Sequence, residues 1–131
     1  YESRKSRELY ENPFASLLFY WPMVHRQVRI QGLVEKISAE DSNQYFRTRP
    51  YESQISACAS PQSHVIESRQ FLERRFSEIR GKYKTKEIPR PANWGGFRVT
   101  PMQMEFWQGR EHRLHDRILY SRTDWGWEID R

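Results

Sequence analysis

Strand-like segments lie towards both ends of this sequence, and helical segments lie between them. Phe14 to Trp21 is aromatic and apolar between two prolines, which is typical of a buried strand. Gln27 to Ile37 also reads as a strand, and Gly32 within it predicts a bulge. Short strands are further predicted over residues 97–100, 102–108, 117–122 and 125–130. At least six strands with helices grouped between them favour a small antiparallel barrel with helices at its side.

The helical segments carry recognisable start and stop signals. A short helix is predicted over Ser3 to Glu11, since the Asn-Pro pair that follows disfavours helical geometry. Ser38 with Asp41 three residues later is an N-cap pattern, and it predicts a helix from Ala39 towards Thr48. Two further helices are predicted over residues 51–59 and 68–83.

The net positive charge of the chain limits the classes of binding partner that we expect. Its 131 residues suit one folding unit, and they carry a net charge of +5. Such a charge suits nucleic acid, a membrane surface or a phosphorylated small molecule. The densest basic stretch, Glu73 to Lys86, includes glutamates, so a solvated helix face is the simpler interpretation. The longest apolar run, Phe14 to Trp21, is far below the ~20 residues of a membrane span. We therefore expect neither nucleic acid nor membrane as a partner.

The single cysteine and the first residues bear on the cellular context. Cys58 has no second cysteine with which to form an internal disulfide, and a lone thiol favours a reducing, cytoplasmic location. Its alanine neighbours indicate a packing role. The chain begins at Tyr1 without a Met or an apolar signal region, so we expect it to have been cut from a longer protein.

Residues Glu105 to Arg117 hold the densest set of chemically capable side chains. An aromatic strand runs here into a loop with three arginines and two histidines, which suits an anion site. On composition alone, a solvated charged hairpin is the favoured interpretation. His112 and His115 lie three residues apart, but no further Cys or His nearby completes a tetrahedral set. We therefore expect no metal.

The string from Trp107 to Arg117, Trp-Gln-Gly-Arg-Glu-His-Arg-Leu-His-Asp-Arg, resembles the signature of the pyridoxine/pyridoxamine 5'-phosphate oxidases. That signature is a Trp followed by Arg-Leu-His-Asp-Arg. Further segments fit the family in the same order, and they are Ser3–Lys5, Arg26–Arg29, Tyr45–Pro50 with Ser53–Gln54, and Ser60–Ser63. The resemblance spans nearly the whole chain and corresponds to the C-terminal portion of a family member.

This resemblance implies a mainly β fold with flanking helices, the antiparallel FMN-binding split β-barrel. The chain is expected to form a single domain over residues 1–131, with residues 94–131 as its dimerisation and active-site region. Family members are homodimers whose FMN sites are built from both subunits. They also carry an upstream strand segment that contacts flavin and substrate, so a chain starting at Tyr1 is expected to lack its N-terminal strands. The family's usual ending also suggests a few residues missing after Arg131.

The resemblance also assigns roles to individual residues. The residues expected to bind FMN are Arg4, Lys5, Gln27, Gln62, Ser63, Trp107 and Arg117. The expected cradle of the substrate phosphate is Tyr45, Arg49 and Ser53. Cationic and hydroxyl donors of this kind are what a dianionic phosphate needs. Without the family, Trp107 would be interpreted as core, and Tyr45 with Arg49 as a helix surface pair.

Arg113 and His115 are expected to be the catalytic pair over the substrate's pyridine ring. Residues two apart on an extended stretch point to the same side, so both could meet one ligand while Leu114 turns away. The implied reaction is oxidation of pyridoxine or pyridoxamine 5'-phosphate to pyridoxal 5'-phosphate by an FMN enzyme, with dioxygen reduced to hydrogen peroxide. The alternatives are a related flavin oxidase of another ring, of the phenazine-pathway type, and a non-catalytic dimerisation or basic nucleic-acid-binding module.

Overall fold

The computed structural model describes residues 1–84 and 86–131, which form two compact units. The helical unit comprises Tyr1–Tyr10 and Lys36–Phe97, and the sheet unit comprises Glu11–Glu35 and Arg98–Arg131. Among the described residues, no helix combines the length and apolar character that a bilayer span needs. The expected single domain with a dimerisation region at residues 94–131 stays a prediction.

Four helices form where the sequence signals place them. They are α1 (Arg4–Glu11), α2 (Ala39–Thr48), α3 (Tyr51–Ala59) and α4 (Arg69–Lys82). The Ser38 hydroxyl accepts a hydrogen bond from the Asp41 N–H at 2.9 Å, and the Ser68 hydroxyl does the same for Phe71 at 3.1 Å. Each cap satisfies a backbone donor that the first helical turn leaves open. The helix predictions are confirmed.

A small apolar core holds the helical unit together. Phe46 of α2 and Ile55 of α3 are buried against Ile88, and Phe76 and Ile79 of α4 pack on this cluster. Burial of one such side chain contributes about 1.5–3 kcal/mol. The core therefore fixes how α2, α3 and α4 lie within the unit.

Five strands form one sheet in the order β1-β2-β3-β4-β5. They are β1 (Phe14–Trp21), β2 (Arg26–Lys36), β3 (Phe97–Gln108), β4 (Asp116–Thr123) and β5 (Gly126–Asp130). The pairs β1–β2, β3–β4 and β4–β5 are antiparallel. The antiparallel sheet with accompanying helices is the predicted architecture.

Two predictions about β2 and β3 are wrong. The β1–β2 register runs without interruption from Phe14 opposite Leu33 to Trp21 opposite Arg26, so Gly32 makes no bulge in this pair. A Cβ at Gly32 would overlap the Thr100 carbonyl oxygen and lie 2.8 Å from its carbonyl carbon. The glycine thus lets the β3 backbone approach closely. Pro101 does not divide β3, which runs unbroken over residues 97–108, so the described residues form five strands and not the six or more that were expected.

The prediction that the first strand is buried is also wrong. Six of the eight residues of β1 are large apolar or aromatic side chains that are at least 37% exposed. As an edge strand β1 has only β2 beside it, and its side chains on both faces are exposed, with Ala15 the one exception. The sheet unit therefore presents a large apolar surface, which in soluble proteins marks an interaction site.

Candidate active site

The sheet unit positions the charged loop at the end of β3. The N–H of Gly109 donates to the His25 carbonyl oxygen at 2.7 Å, and a Cβ at Gly109 would lie 2.8 Å from the His25 Cβ. Only glycine fits this close approach. The loop then makes a 3-10 turn over Glu111–Arg113.

Two non-glycine residues of this loop have left-handed backbone. His112 has φ 54° and Arg113 has φ 61°. Such conformations cost free energy in residues with a Cβ, and they cluster at functional sites. The expected extended geometry from Arg113 to His115 is therefore wrong, because Arg113 lies within the turn. The roles expected of Arg113 and His115 therefore rest on the family resemblance alone and stay predictions.

His115 is held by two contacts within the sheet unit. Its ring lies 4.8 Å from the Trp107 ring between centroids, at an angle of 52°. Its Nδ1 accepts a hydrogen bond from the Arg110 backbone N–H at 3.1 Å. In the neutral ring the proton then lies on Nε2, which can donate to a ligand.

Asp116 anchors the loop at the start of β4. Its two carboxylate oxygens accept hydrogen bonds from Arg110 Nε at 2.7 Å and from Arg131 Nη2 at 3.1 Å. These two hydrogen bonds from arginine hold the pKa of Asp116 below its ordinary value. The charged carboxylate holds Arg110, whose backbone N–H is the donor to His115.

Arg117 pairs across the sheet with Trp107. Its guanidinium Nη1 lies 3.6 Å from Glu105 Oε2, and the Arg29 Nη2 lies 3.8 Å from the same oxygen. The Glu105 side chain is only 14% exposed, so this shared carboxylate orients both arginines in a partly desolvated setting.

A cavity of about 530 Å³ opens in the sheet unit. Its lining residues are Trp21, Val24, Arg26, Gln27, Val28, Phe106, Trp107, Gln108, Asp116 and Ile118. Two residues expected to contact the flavin, Gln27 and Trp107, are thus brought together. The sequence interpretation missed Trp21, Phe106 and Gln108. Their signal was present, since all three belong to predicted strands that flank the motif residues.

The Gln108 side chain forms hydrogen bonds with two other residues that line this cavity. Its side-chain oxygen accepts from Arg26 Nε at 2.7 Å, and its Nε2 donates to the Val24 carbonyl oxygen at 3.0 Å. The turn between β1 and β2 is thereby held against the end of β3.

In the helical unit, Tyr45 and Arg49 are brought together on Trp94. The Tyr45 ring stacks on Trp94 at 6.1 Å and 20°, and the Arg49 guanidinium carbon lies 5.0 Å from the Trp94 ring centroid. Ser53 lies in the first turn of α3, where its N–H donates to the Pro50 carbonyl oxygen at 2.9 Å. Trp94 was not recognised as a site residue from the sequence, because its partners lie more than 40 positions away in the chain.

The residues of the helical unit that are expected to bind FMN are only partly brought together. Lys5 and Gln62 line one cavity of about 180 Å³ with Ser3 and Ser60. Arg4 instead forms a surface ion pair with Glu8 at 2.8 Å. Ser63 is exposed and has φ 58°. Over the described residues, no cluster of three or more His, Cys, Asp or Glu side chains could hold a metal ion.

Comparison with known families decides the classification. Residues 1–83 match the family described as pyridoxamine 5'-phosphate oxidase, and residues 94–131 match the pyridoxine 5'-phosphate oxidase C-terminal dimerisation region. This chain belongs to the pyridoxamine 5'-phosphate oxidase family. The resemblance inferred from the sequence is confirmed.

Curated relatives in this family carry the description pyridoxine/pyridoxamine 5'-phosphate oxidase. The chain is 60% identical to the protein from Nostoc punctiforme and 54% identical to that from Bacteroides thetaiotaomicron. Each match covers 100% of this chain and 62% of the relative. The chain thus spans about three fifths of the length of these relatives.

Solved structures support the same fold. The chain matches PhzG from Burkholderia lata 383, in complex with tetrahydrophenazine-1-carboxylic acid, with a TM-score of 0.91 and 31% identity over 98% of this chain and 62% of PhzG. It matches a pyridoxamine 5'-phosphate oxidase-related, FMN binding protein from Nostoc punctiforme with a TM-score of 0.72 and 18% identity, over 98% of this chain and 65% of that protein. The fold class expected from the sequence, an antiparallel split barrel with flanking helices, is confirmed.

The family assignment supports FMN as the cofactor, and the donor chemistry of each unit fits it. In the sheet unit, the aromatic cavity walls and the Gln27 amide suit a flat ring with a polar edge. In the helical unit, the cavity that Lys5 and Gln62 share offers cationic and amide donors of the kind that a phosphate takes. The individual FMN-binding and substrate-binding roles stay predictions.

Proposed function

We propose that this protein oxidises pyridoxine 5'-phosphate or pyridoxamine 5'-phosphate to pyridoxal 5'-phosphate. Two electrons leave the exocyclic carbon as a hydride, and dioxygen finally takes them up to give hydrogen peroxide. With the amine substrate, water also enters and ammonia leaves. The matches to the two oxidase families and the composition of the two candidate sites support this assignment.

The observation that carries the proposal is the state of Arg49. Its guanidinium lies over Trp94, and the structure records no carboxylate partner for it among residues 1–84 and 86–131. Its neighbour Arg47 is paired with Glu87 at 2.8 Å. Arg49 therefore keeps its planar set of N–H donors available for a phosphate, with the Tyr45 and Ser53 hydroxyls as further donors.

The chain's own residues would bind and orient the substrate and donate hydrogen bonds to it, and the proton that the substrate loses with the hydride would pass to solvent. Arg49, with Tyr45 and Ser53, neutralises the phosphate and so fixes the remote end of the substrate, which lowers the entropic cost of reaching the reactive geometry. His115 donates from Nε2, and Arg113 adds a fixed positive charge where negative charge develops. Trp107 and Gln27 would contact the ring of the cofactor, with Arg117 opposite Trp107 on β4. When bound, FMN supplies the hydride acceptor for the reaction.

A second candidate is oxidation of a phenazine-type ring. It is favoured by the 31% identity and TM-score of 0.91 to PhzG, whose solved complex contains tetrahydrophenazine-1-carboxylic acid. That ligand is a carboxylic acid without a phosphate. A guanidinium also pairs with a carboxylate, so the support for the phosphorylated substrate comes from the curated relatives, which are 60% and 54% identical and are described as pyridoxine/pyridoxamine 5'-phosphate oxidase.

We also propose that the protein acts as a homodimer in the cytoplasm. Residues 94–131 match a dimerisation region, and β1 and β5 leave apolar side chains exposed. A single cysteine is consistent with a reducing compartment. A basic nucleic-acid-binding module stays the alternative from another class, and it would carry no flavin.

Product analysis tests the assignment. The purified protein, reconstituted with FMN, is incubated in air with either phosphorylated vitamer or with tetrahydrophenazine-1-carboxylic acid. We expect pyridoxal 5'-phosphate and hydrogen peroxide in equal amounts from the vitamers, and little oxidation of the phenazine. Flavin-loaded protein that oxidises only the phenazine would transfer the assignment to the second candidate.

A further inference from the structure

Trp94 lies where the proposed phosphate site meets the core of the helical unit. Its ring packs edge-on against the buried Phe46 at 5.1 Å between centroids and 71°. The same ring bears the stacked Tyr45 and the Arg49 guanidinium. One indole therefore connects the buried core to both side chains.

Arg90 holds this indole in place from the backbone. Its Nε donates to the Asn43 side-chain oxygen at 2.7 Å, and its Nη1 donates to the carbonyl oxygens of Pro91, at 3.2 Å, and of Trp94. The Trp94 N–H in turn donates to the Pro91 carbonyl oxygen at 2.9 Å. The segment that carries Trp94 is thus tied to α2, the helix that also carries Tyr45.

We propose that Trp94, held by Arg90, is a positioning residue that presets Arg49 for the substrate phosphate. An arginine side chain in water samples many rotamers, and ordering it on binding weakens affinity. A guanidinium already held over an indole has lost much of that freedom, and its N–H donors stay open to an anion because, among the described residues, no side-chain hydrogen bond or ion pair occupies them. Trp94 acts through Arg49 and touches no reacting atom.

This inference rests on the proposed function and sharpens its phosphate site. Loss of the indole should raise the KM for pyridoxine 5'-phosphate and the Kd for pyridoxal 5'-phosphate by about three- to tenfold, the range expected for a partly exposed cation–π contact. The kcat should not change. Because Trp94 also lines the cavity that Lys5 and Gln62 share, KM and Kd are compared in variants that are fully loaded with FMN. The Kd is measured by absorbance titration, so it does not depend on turnover.

The decisive experiment is a double-mutant cycle in the FMN-loaded protein. Trp94→Leu is combined with Arg49→Ala, and each single variant is measured beside the pair. If Trp94 works through Arg49, Trp94→Leu has its effect in the wild-type background and almost none in Arg49→Ala. Trp94→Phe keeps an aromatic face and should restore most of the affinity.

A matched control uses a similar contact elsewhere in the same unit. The guanidinium carbons of Arg74 and Arg75 lie 5.9 and 5.7 Å from the Phe71 ring centroid. Phe71→Leu should therefore leave both KM and Kd unchanged. If Trp94→Leu does not fold, Arg90→Gln is used in its place. We expect a smaller rise in Kd for Arg90→Gln, and no rise when the same substitution is made in the Arg49→Ala background.

Two outcomes would overturn the inference while leaving the proposed function intact. One is a wild-type Kd in Trp94→Leu, and the other is a loss of affinity that simply adds to that of Arg49→Ala. A wild-type protein that oxidises neither phosphorylated vitamer would instead remove the proposed function itself.

Discussion

At the scale of single residues, arginines with similar sequence surroundings have different partners. Arg47 and Arg49 both lie at the end of α2, but Arg47 pairs with Glu87 while Arg49 rests on Trp94. The family motif pointed to Arg49 from the sequence. The reason for its availability could not be predicted, because it depends on Trp94, which tertiary packing brings close. The same holds for His115, whose Nδ1 partner is a backbone N–H five residues earlier.

Arg49→Ala should raise the KM for phosphorylated substrate at least about tenfold, since a charge-assisted contact contributes on the order of 1.5–3 kcal/mol. FMN content should stay the same. Steady-state kinetics and the flavin absorbance of the purified variant measure the two effects. Arg47→Ala is the matched control and should leave KM unchanged. If Arg49→Ala strips the flavin and preserves substrate affinity, the division of the phosphate sites is wrong.

His115→Ala and Arg113→Ala should retain FMN and a cooperative melt but slow flavin reduction by about a hundredfold, because a hydrogen-bond donor or a fixed charge that aligns the substrate is lost from the reacting centre. Anaerobic stopped-flow absorbance measures the rate. Arg117→Ala should lose FMN first. His112→Ala serves as the control within the same loop. Normal flavin reduction in both the Arg113 and His115 variants would return the loop to a solvated charged hairpin.

At the scale of helices and strands, the features that depend on nearby residues in the sequence were predicted correctly. The features that depend on long-range contacts were not. The hydroxyl caps at Ser38 and Ser68 act within three residues, so both helix starts could be located from sequence. Gly32 and Pro101 were misinterpreted because their roles depend on the neighbouring strand. From the sequence alone, a glycine that lies against a neighbouring strand's backbone cannot be distinguished from a glycine at a β-bulge.

Two glycine substitutions test whether Gly32 is required by the close approach of a neighbouring backbone. Gly32→Ala should destabilise the fold by about 1–3 kcal/mol and lower Tm by several degrees, since the new Cβ would overlap the backbone of Thr100. Gly81→Ala in α4 meets no atom within 4 Å and should leave Tm unchanged or slightly raise it. Thermal melts followed by circular dichroism compare the two. Equal Tm values for both variants would contradict the close approach of β2 and β3.

At the scale of the whole molecule, the exposed apolar residues of the sheet unit call for a partner surface. Six large apolar or aromatic side chains of β1 are exposed, and Trp127 and Ile129 of β5 are 41% and 58% exposed. Stable interfaces bury about 1,600 Å² in total, and their centres are apolar. Sedimentation equilibrium should therefore give twice the chain mass. A well-folded monomer that binds FMN tightly would contradict a site shared between subunits.

The central claim is that a flavin-loaded protein takes electrons from a phosphorylated B6 vitamer. Anaerobic mixing with pyridoxine 5'-phosphate, followed by flavin absorbance in a stopped-flow instrument, measures this step without dioxygen. We predict full bleaching of the flavin, with half-saturation at a concentration at least about tenfold lower than for unphosphorylated pyridoxine. The account would be contradicted if the flavin stays oxidised with pyridoxine 5'-phosphate. It would also be contradicted if pyridoxine and pyridoxine 5'-phosphate reduce the flavin with equal half-saturation concentrations.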